Sequence, residues 1–288
     1  MRIISHSSNI VFEEHVYAAN ELIFLDPKFD QLLFSLSKKS LFFLIWNKLK
    51  LKKQALYLHE PTSIMDVWKA DISVRNKIKS YLQVIYKNCC LLLVDCVVVD
   101  NHSSAERSLK SPLMKRKTIK IARLPFSEKI HPQSKKPKGD FCLGVLGRID
   151  KFRNLDNYTS AKHTIFLCTS SNFVATEGVQ IYHSNSPFDL STKNQFFDKV
   201  SCLLCVSFFQ NSQSGVVAEA LWRGIPCFVS SLESYSRFLP EYFVVESFEQ
   251  LACKLRDKNE VEYQVYRFLH EFDITDYRER LKNEWALI

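Results

Sequence analysis

The stretch from Val200 to Ser231, VSCLLCVSFFQNSQSGVVAEALWRGIPCFVSS, constrains the fold more than any other part of this chain. An apolar run, Val200 to Val206, ends in a polar loop at Gln210 to Ser214. A short helix follows, with Val216, Val217, Ala220 and Leu221 spaced to line one buried face. Gly224 stops that helix, because glycine accepts the left-handed backbone in which helices commonly end. A second apolar run, Ile225 to Val229, then begins around Pro226. This pattern predicts a parallel strand–helix–strand unit with its loop at the carboxyl edge of a sheet, where open α/β folds bind ligands. The helix starts at the same edge. Its free N–H groups and positive dipole end favour a phosphate there.

The rest of the chain repeats this alternation in two halves. In the first half, strands are expected at Arg2 to Ser5, Gln54 to Leu58, Cys96 to Asp100 and Thr118 to Ile121. Helical spacing covers Val11 to Phe24 and, at Ile78, Leu82, Ile85, Cys89 and Leu92, a long helix from Val74 to about Val94. A polar Pro/Gly linker, Lys135 to Gly139, separates the halves. The second half has strands at Phe141 to Leu146, Thr164 to Cys168, Val179 to Tyr182 and Phe243 to Val245, a helix at Glu249 to Arg256, and a charged terminal helix at Asp273 to Trp285. The expected organisation is an α/β domain over residues 1–136, a second over 137–272, and a terminal helix, 273–288, able to pack back on the first.

Composition excludes several classes. Six glycines, with no G-x-G-x-x-G and no Walker motif, leave no glycine-rich nucleotide loop. Of the 39 Lys+Arg and 31 Asp+Glu, 24 and 13 fall in residues 1–140, a local net charge of +11; the remainder carries −3. The basic half suits an anionic partner: a membrane surface, a phosphorylated acceptor or a nucleic acid. A solvated Lys-rich surface is the plain alternative. Known nucleic-acid readers combine basic and aromatic residues in patterns this half lacks. Most of the nine cysteines sit inside apolar runs, as small hydrophobes in a reducing, cytoplasmic compartment do. Cys202 and Cys205, at C-x-x-C spacing, fall on opposite faces of a strand and read as core. Met1 to Glu14 is too polar for a secretory signal. The longest apolar run, Cys89 to Val99, contains Asp95 and falls short of the ~20 residues that a spanning helix needs. Segment Ser35 to Gln54 mixes six large apolar residues, Leu41 to Trp46, with lysines. It reads either as an interfacial element on an anionic bilayer or as a core element with Lys-rich ends.

Candidate site residues cluster at expected strand ends. Gly147-Arg148 closes a strand, and Lys151 and Arg153 follow, so one loop carries three cations suited to a diphosphate. Glu219 lies one helical turn after Gly215 and leans toward it, where its carboxylate could accept hydrogen bonds from two sugar hydroxyls. A surface ion pair with Arg223, one helical turn on, is the alternative. His59 ends a strand before Glu60-Pro61, a place where reactive side chains sit in α/β folds, although a lone histidine there is more often structural.

Two segments resemble the nucleotide-sugar domain of family 4 glycosyltransferases. LGVLGRIDKFRN at Leu143 to Asn154 stands where that family has its phosphate loop. NSQSGVVAEALWRGIPCFVSS at Asn211 to Ser231 stands where it has its Glu-x7-Glu helix motif. In the first half, ALYLHEP at Ala55 to Pro61, EEHVYAANEL at Glu13 to Leu22 and VDCVVVDNHSSAERSL at Val94 to Leu109 are similar to the family's corresponding strands and helix. The resemblance implies the GT-B fold, with two Rossmann-like doubly wound domains facing across a cleft, here with a reduced first domain.

It also implies roles. Arg148 would bind the donor diphosphate, with Arg153 or Lys151 as the second cation. Glu219 would take the nucleotide ribose, and Ser214 and Gly215 the helix start near the diphosphate. His59 would contact the transferred sugar, and Phe188 would flank the base. Asn211 stands where the family has the first Glu of its motif, and Ser7-Ser8-Asn9 where it has a glycine pair. The implied function is a glycosyltransferase of hexosyltransferase type. It would be retaining, free of metal and of any cofactor, and would move a sugar from a nucleoside-diphosphate sugar to a glycan or a polyprenyl-diphosphate-linked acceptor. The setting would be synthesis of a cell-surface polysaccharide such as lipopolysaccharide or capsule, in the cytoplasm or on the inner membrane face. The alternative is a non-catalytic, glycosyltransferase-like subunit that scaffolds a partner enzyme.

Overall fold

Runs of apolar residues with no polar alternation can only be satisfied as strands covered on both faces. Here they pair side by side, all parallel, in two sheets. The structure is a computed structural model that describes residues 2–5, 18, 29–36, 39–58, 74–100, 105–106, 108, 113–124, 126, 141–146, 164–169, 179–183, 190–206, 215–231, 233 and 235–287. The chain forms two compact units, Met1–Ser127 with Glu279–Ile288, and Glu128–Arg278. The expected linker at Lys135 to Gly139 and the helix at Val11 to Phe24, Ala18 apart, lie outside the described residues.

The first unit has a five-stranded sheet in chain order. Its strands are β1 (Arg2–Ser5), β2 (Gln31–Ser35), β3 (Gln54–Leu58), β4 (Cys96–Val99) and β5 (Thr118–Ile121). The stretch between Phe24 and Gln54 holds β2 and a helix, α1 (Ser40–Leu49). The long expected helix is α2 (Val74–Leu93). Side chains alternate across the sheet with the period of two that strands impose. Leu33, Leu56, Leu58, Val97 and Val99 meet Leu44 of α1 and Cys90 and Leu91 of α2 on one face. Leu32, Ala55, Tyr57, Cys96 and Val98 meet Trp285 on the other. The Trp285 indole stacks on Tyr57 with centroids 6.0 Å apart and donates to the Arg123 carbonyl at 2.6 Å. Beside it, the buried Arg123 guanidinium pairs with Glu284. These contacts seat the end of the terminal helix in the first unit.

One outcome differs from simple periodicity. The apolar stripe of α2 predicts a core-facing surface, yet Ile78, Leu82, Ile85 and Leu92 are exposed. The buried residues of α2 are Val84, Cys90 and Leu91. The helix carries a second apolar stripe, Val84 with Cys90 and Leu91, so spacing alone does not say which stripe meets the sheet. Within the Ser35 to Gln54 segment, helix α1 likewise buries Ser40, Leu44 and Asn47 rather than its aromatic residues.

The second unit has a six-stranded sheet in the order β11-β10-β9-β6-β7-β8. The strands are β6 (Cys142–Leu146), β7 (Thr164–Thr169), β8 (Val179–His183), β9 (Cys202–Cys205), β10 (Cys227–Ser230) and β11 (Val244–Val245). The chain winds outward from β6 to β8, returns through α3 (Leu190–Phe197), and winds the other way from β9 to β11. This is a doubly wound sheet with its switch point between β6 and β9. Helix α4 (Gly215–Arg223) joins β9 to β10. Three further helices, α5 (Phe248–Arg256), α6 (Lys258–Glu271) and α7 (Ile274–Ala286), follow. The sequence reading gave no helix for α3 or α6.

The helix-ending role of Gly224 is met directly: its φ is +80°, and its N–H and that of Ile225 donate to the carbonyls of Leu221 and Ala220. Gly144 serves packing instead. A Cβ there would lie 2.6 Å from both Val200 methyls and 2.8 Å from Leu203 Cδ2, so β6 and β9 approach closely only because residue 144 has no side chain. Gly144→Ala should therefore cost about 1–3 kcal/mol, as overpacked cores do. Urea unfolding checks this, and Val200→Ala in the same chain should recover part of the loss.

Candidate donor site at the sheet switch point

In doubly wound sheets ligands bind beyond the carboxyl ends of the strands flanking the switch point. Strands β6 and β9 are those strands. They pair in parallel with Leu143 opposite Cys202 and Gly144 opposite Leu203. Continued two residues, this register sets Leu146 level with Cys205. The two strands end together, about 4.8 Å apart as hydrogen-bonded neighbours are. Residues 147 onward and 207 onward thus leave from adjacent points on one edge. Strand β10 ends on that edge too, with Val229 opposite Cys205.

Helix α4 begins at Gly215, after the chain has passed beyond β9. From Val217 to Arg223 every residue is buried, and only its first two positions are half-buried. Val216 is thus less buried than its spacing predicts. Among the described residues, a Cβ at Gly215 would meet nothing within 4 Å. The first turn has no acidic residue to offset the dipole.

Glu219 lies one turn further in, 4% exposed. Its Oε1 accepts from Arg223 Nη2 at 2.8 Å and Nε at 3.3 Å, and its Oε2 accepts from Lys193 Nζ at 3.2 Å. The Arg223 guanidinium lies 4.2 Å from the Phe197 ring centroid. Helices α3 and α4 are therefore joined by a buried Lys193–Glu219–Arg223 triad. Burial alone would push the Glu219 carboxyl up, but Lys193 and Arg223 outweigh it and hold the carboxyl below its ordinary value. The Arg223 pair weighed from the sequence is present, but buried rather than at the surface. Lys193 gave no sequence signal, because it reaches Glu219 across 26 positions of chain. A buried acid outside the sequence candidates is Glu233, 6% exposed, just after β10. It follows the end of β10 by three residues, a position at the carboxyl edge of the sheet that could have singled it out.

The other candidates, His59, Arg148, Lys151, Arg153, Phe188, Asn211 and Ser214, lie outside the described residues. Cys202 and Cys227 behave as core, fully buried with burial pushing both thiols up, while Cys205, expected in the core with Cys202, is only half-buried. Among the described residues no group of three or more His, Cys, Asp or Glu side chains is arranged to hold a metal. No helix among the described residues is long and apolar enough to cross a membrane.

The chain is similar in structure to several solved proteins. One is Anabaena HepE in complex with UDP and glucose, with 11% identity and a TM-score of 0.59, covering 97% of this chain and 80% of that one. Another is the pneumococcal O-GlcNAc transferase GtfA in complex with UDP and GlcNAc, with 14% identity and a TM-score of 0.59, covering 95% of this chain and 60% of that one. A third is the UDP-forming α,α-trehalose-phosphate synthase of Burkholderia xenovorans in complex with glucose-6-phosphate, with 10% identity and a TM-score of 0.54, covering 95% and 78%. At these identities the likeness establishes the fold: this chain has the GT-B architecture. The sequence matches no protein-family model and no curated protein.

The triad carries a testable consequence. Removing the charge at Glu219 leaves Lys193 and Arg223 facing a neutral group in a buried setting, so Glu219→Gln should destabilise the chain by about 3–5 kcal/mol at pH 7. Because the folded carboxyl titrates below its unfolded value, this stabilisation is complete above about pH 4.3 and disappears as pH falls through the lower folded value. Urea midpoints measured from pH 7 to pH 3 should fall in the acid range for the wild type, and less steeply for Glu219→Gln.

Proposed function

We propose that this protein is a glycosyltransferase of the family 4 kind, taking a nucleoside-diphosphate sugar as donor. The observation that supports the reading most is the level ending of β6 and β9. It sends the Arg148–Arg153 segment and the segment leading into α4 away from the same point of the sheet edge. On this reading Arg148, with Arg153 or Lys151, binds the diphosphate, and Ser214 and Gly215 present the start of α4 to it. As the glycosidic bond breaks, charge builds on the leaving diphosphate. Fixed cations and helix N–H groups stabilise that charge in the transition state, which is the role a metal would otherwise fill.

Glu219 takes the ribose. Among the described residues its Oε2 accepts from Lys193 only, and a carboxylate oxygen has two acceptor sites. His59 contacts the transferred sugar, Phe188 flanks the base, and Asn211 hydrogen-bonds a sugar hydroxyl in place of a carboxylate. The reaction proceeds with retention and without a bound metal. The acceptor, a glycan or a polyprenyl-diphosphate-linked sugar, is held by the basic first unit, in synthesis of a cell-surface polysaccharide. The proteins similar in fold were solved with UDP or sugar ligands, which supports this donor class.

A second reading draws on Asn211 and on a Glu219 already engaged by two cations: a non-catalytic subunit that scaffolds a partner enzyme. Donor hydrolysis or transfer by the purified chain alone would exclude it.

Calorimetric titration with UDP, GDP and their sugars should identify one that binds. Arg148→Ala should weaken that binding by about tenfold to hundredfold, the loss expected for a charge-assisted hydrogen bond. Equal affinity in the variant would remove the diphosphate role. Thermal shifts across a nucleotide-sugar panel would name the donor, since a ligand of the folded state alone raises Tm.

A further inference from the structure

The helices covering one face of the first sheet turn large apolar side chains outward. On α1, Phe42 is 74% exposed, Trp46 51% and Leu49 74%. Leu51, just past the helix, is 91% exposed. On α2, Ile78, Leu82, Ile85 and Leu92 are all more than half exposed and follow one another at helical spacing. The residues that meet the sheet, Leu44 on α1 and Cys90 and Leu91 on α2, join the same core cluster. Both helices therefore lie on one face of the sheet and both apolar stripes point away from it. Such a surface marks an interaction site in a soluble protein.

Charge identifies the occupant. Residues 36–54 contain six lysines and residues 74–93 four further cations, with no Asp or Glu in either stretch. Lys50 holds its ammonium 4.6 Å from the Trp46 ring centroid, so charge and apolar surface are interleaved. Two copies of this chain facing each other here would oppose like charges, which is strongly unfavourable across an interface. An anionic bilayer supplies both needs at once: an acyl boundary for Phe42, Trp46 and Leu82, and phosphates for lysines whose stems lie along the apolar surface.

We propose that α1 and α2 together form a docking face for anionic lipid, on which the first unit sits flat with both apolar stripes in the headgroup–acyl boundary. It rests on the glycosyltransferase reading only for its purpose, bringing the first unit to a lipid-linked acceptor. The test is flotation of the full chain with vesicles of phosphatidylcholine containing phosphatidylglycerol, without donor or acceptor. The wild type should float with these vesicles, and at least tenfold less with pure phosphatidylcholine or at about 0.5 M salt, where surface charge is screened. Trp46→Glu combined with Leu82→Glu should reduce flotation at least tenfold while Tm stays unchanged, since both positions are exposed. Lys50→Glu with Lys53→Glu should do the same.

A wild type that stays unbound, or a Trp46→Glu, Leu82→Glu chain that floats equally well, overturns the proposal. So does a dimer in sedimentation velocity that this double variant abolishes while neither chain binds vesicles; the face would then belong to a second copy. Donor titration of the same samples separates the two readings. Flotation without donor binding would leave the lipid face standing and remove the glycosyltransferase.

Discussion

The close pairing of β6 with β9 is the constraint on which the second unit depends. These strands are distant in sequence and both are buried on two faces, so they can adjoin only at the centre of a sheet. Gly144 makes the approach possible, because Val200 and Leu203 occupy the space a side chain would need. Once the two strands are neighbours, the winding direction must reverse between them. In such sheets the edge beyond the carboxyl ends of these two strands is where ligands bind.

The neighbouring helices are held by charge as well as by apolar contact. A buried carboxylate between two cations stabilises only if all three groups are satisfied, and it makes each costly to lose. The Lys193–Glu219–Arg223 triad fixes α4 against α3 and so fixes where α4 begins. The same carboxylate is the candidate for ribose recognition. Rigidity and recognition would then share one group, which suits a site that must be preorganised before charge develops in a reaction.

The first unit solves a different problem with similar parts. Its sheet is covered on one face by α1 and α2 and on the other by Trp285, so a helix encoded at the end of the chain completes a core encoded at its start. The apolar surface that α1 and α2 leave exposed is not required by that core. It lies beside a lysine-rich stretch of sequence, and that combination is what the lipid-docking proposal rests on.

Much of this was legible in the sequence because it is local. Apolar runs marked β3, β5, β6 and β10 within a residue or two, and Gly224 marked the end of α4. What is not local was not legible. Lys193 meets Glu219 only because α3 and α4 pack together, and α3 itself has too weak a periodicity to stand out. The outward turn of Ile78 and Leu82 depends on which of two apolar stripes of α2 the sheet selects, and it selects the one with Val84, Cys90 and Leu91. The sequence by itself determined the α/β alternation, because strand and helix periods are written in neighbouring residues. Tertiary structure alone decided the strand order, the buried triad and the exposed stripes, because each depends on packing between segments that sequence spacing does not relate.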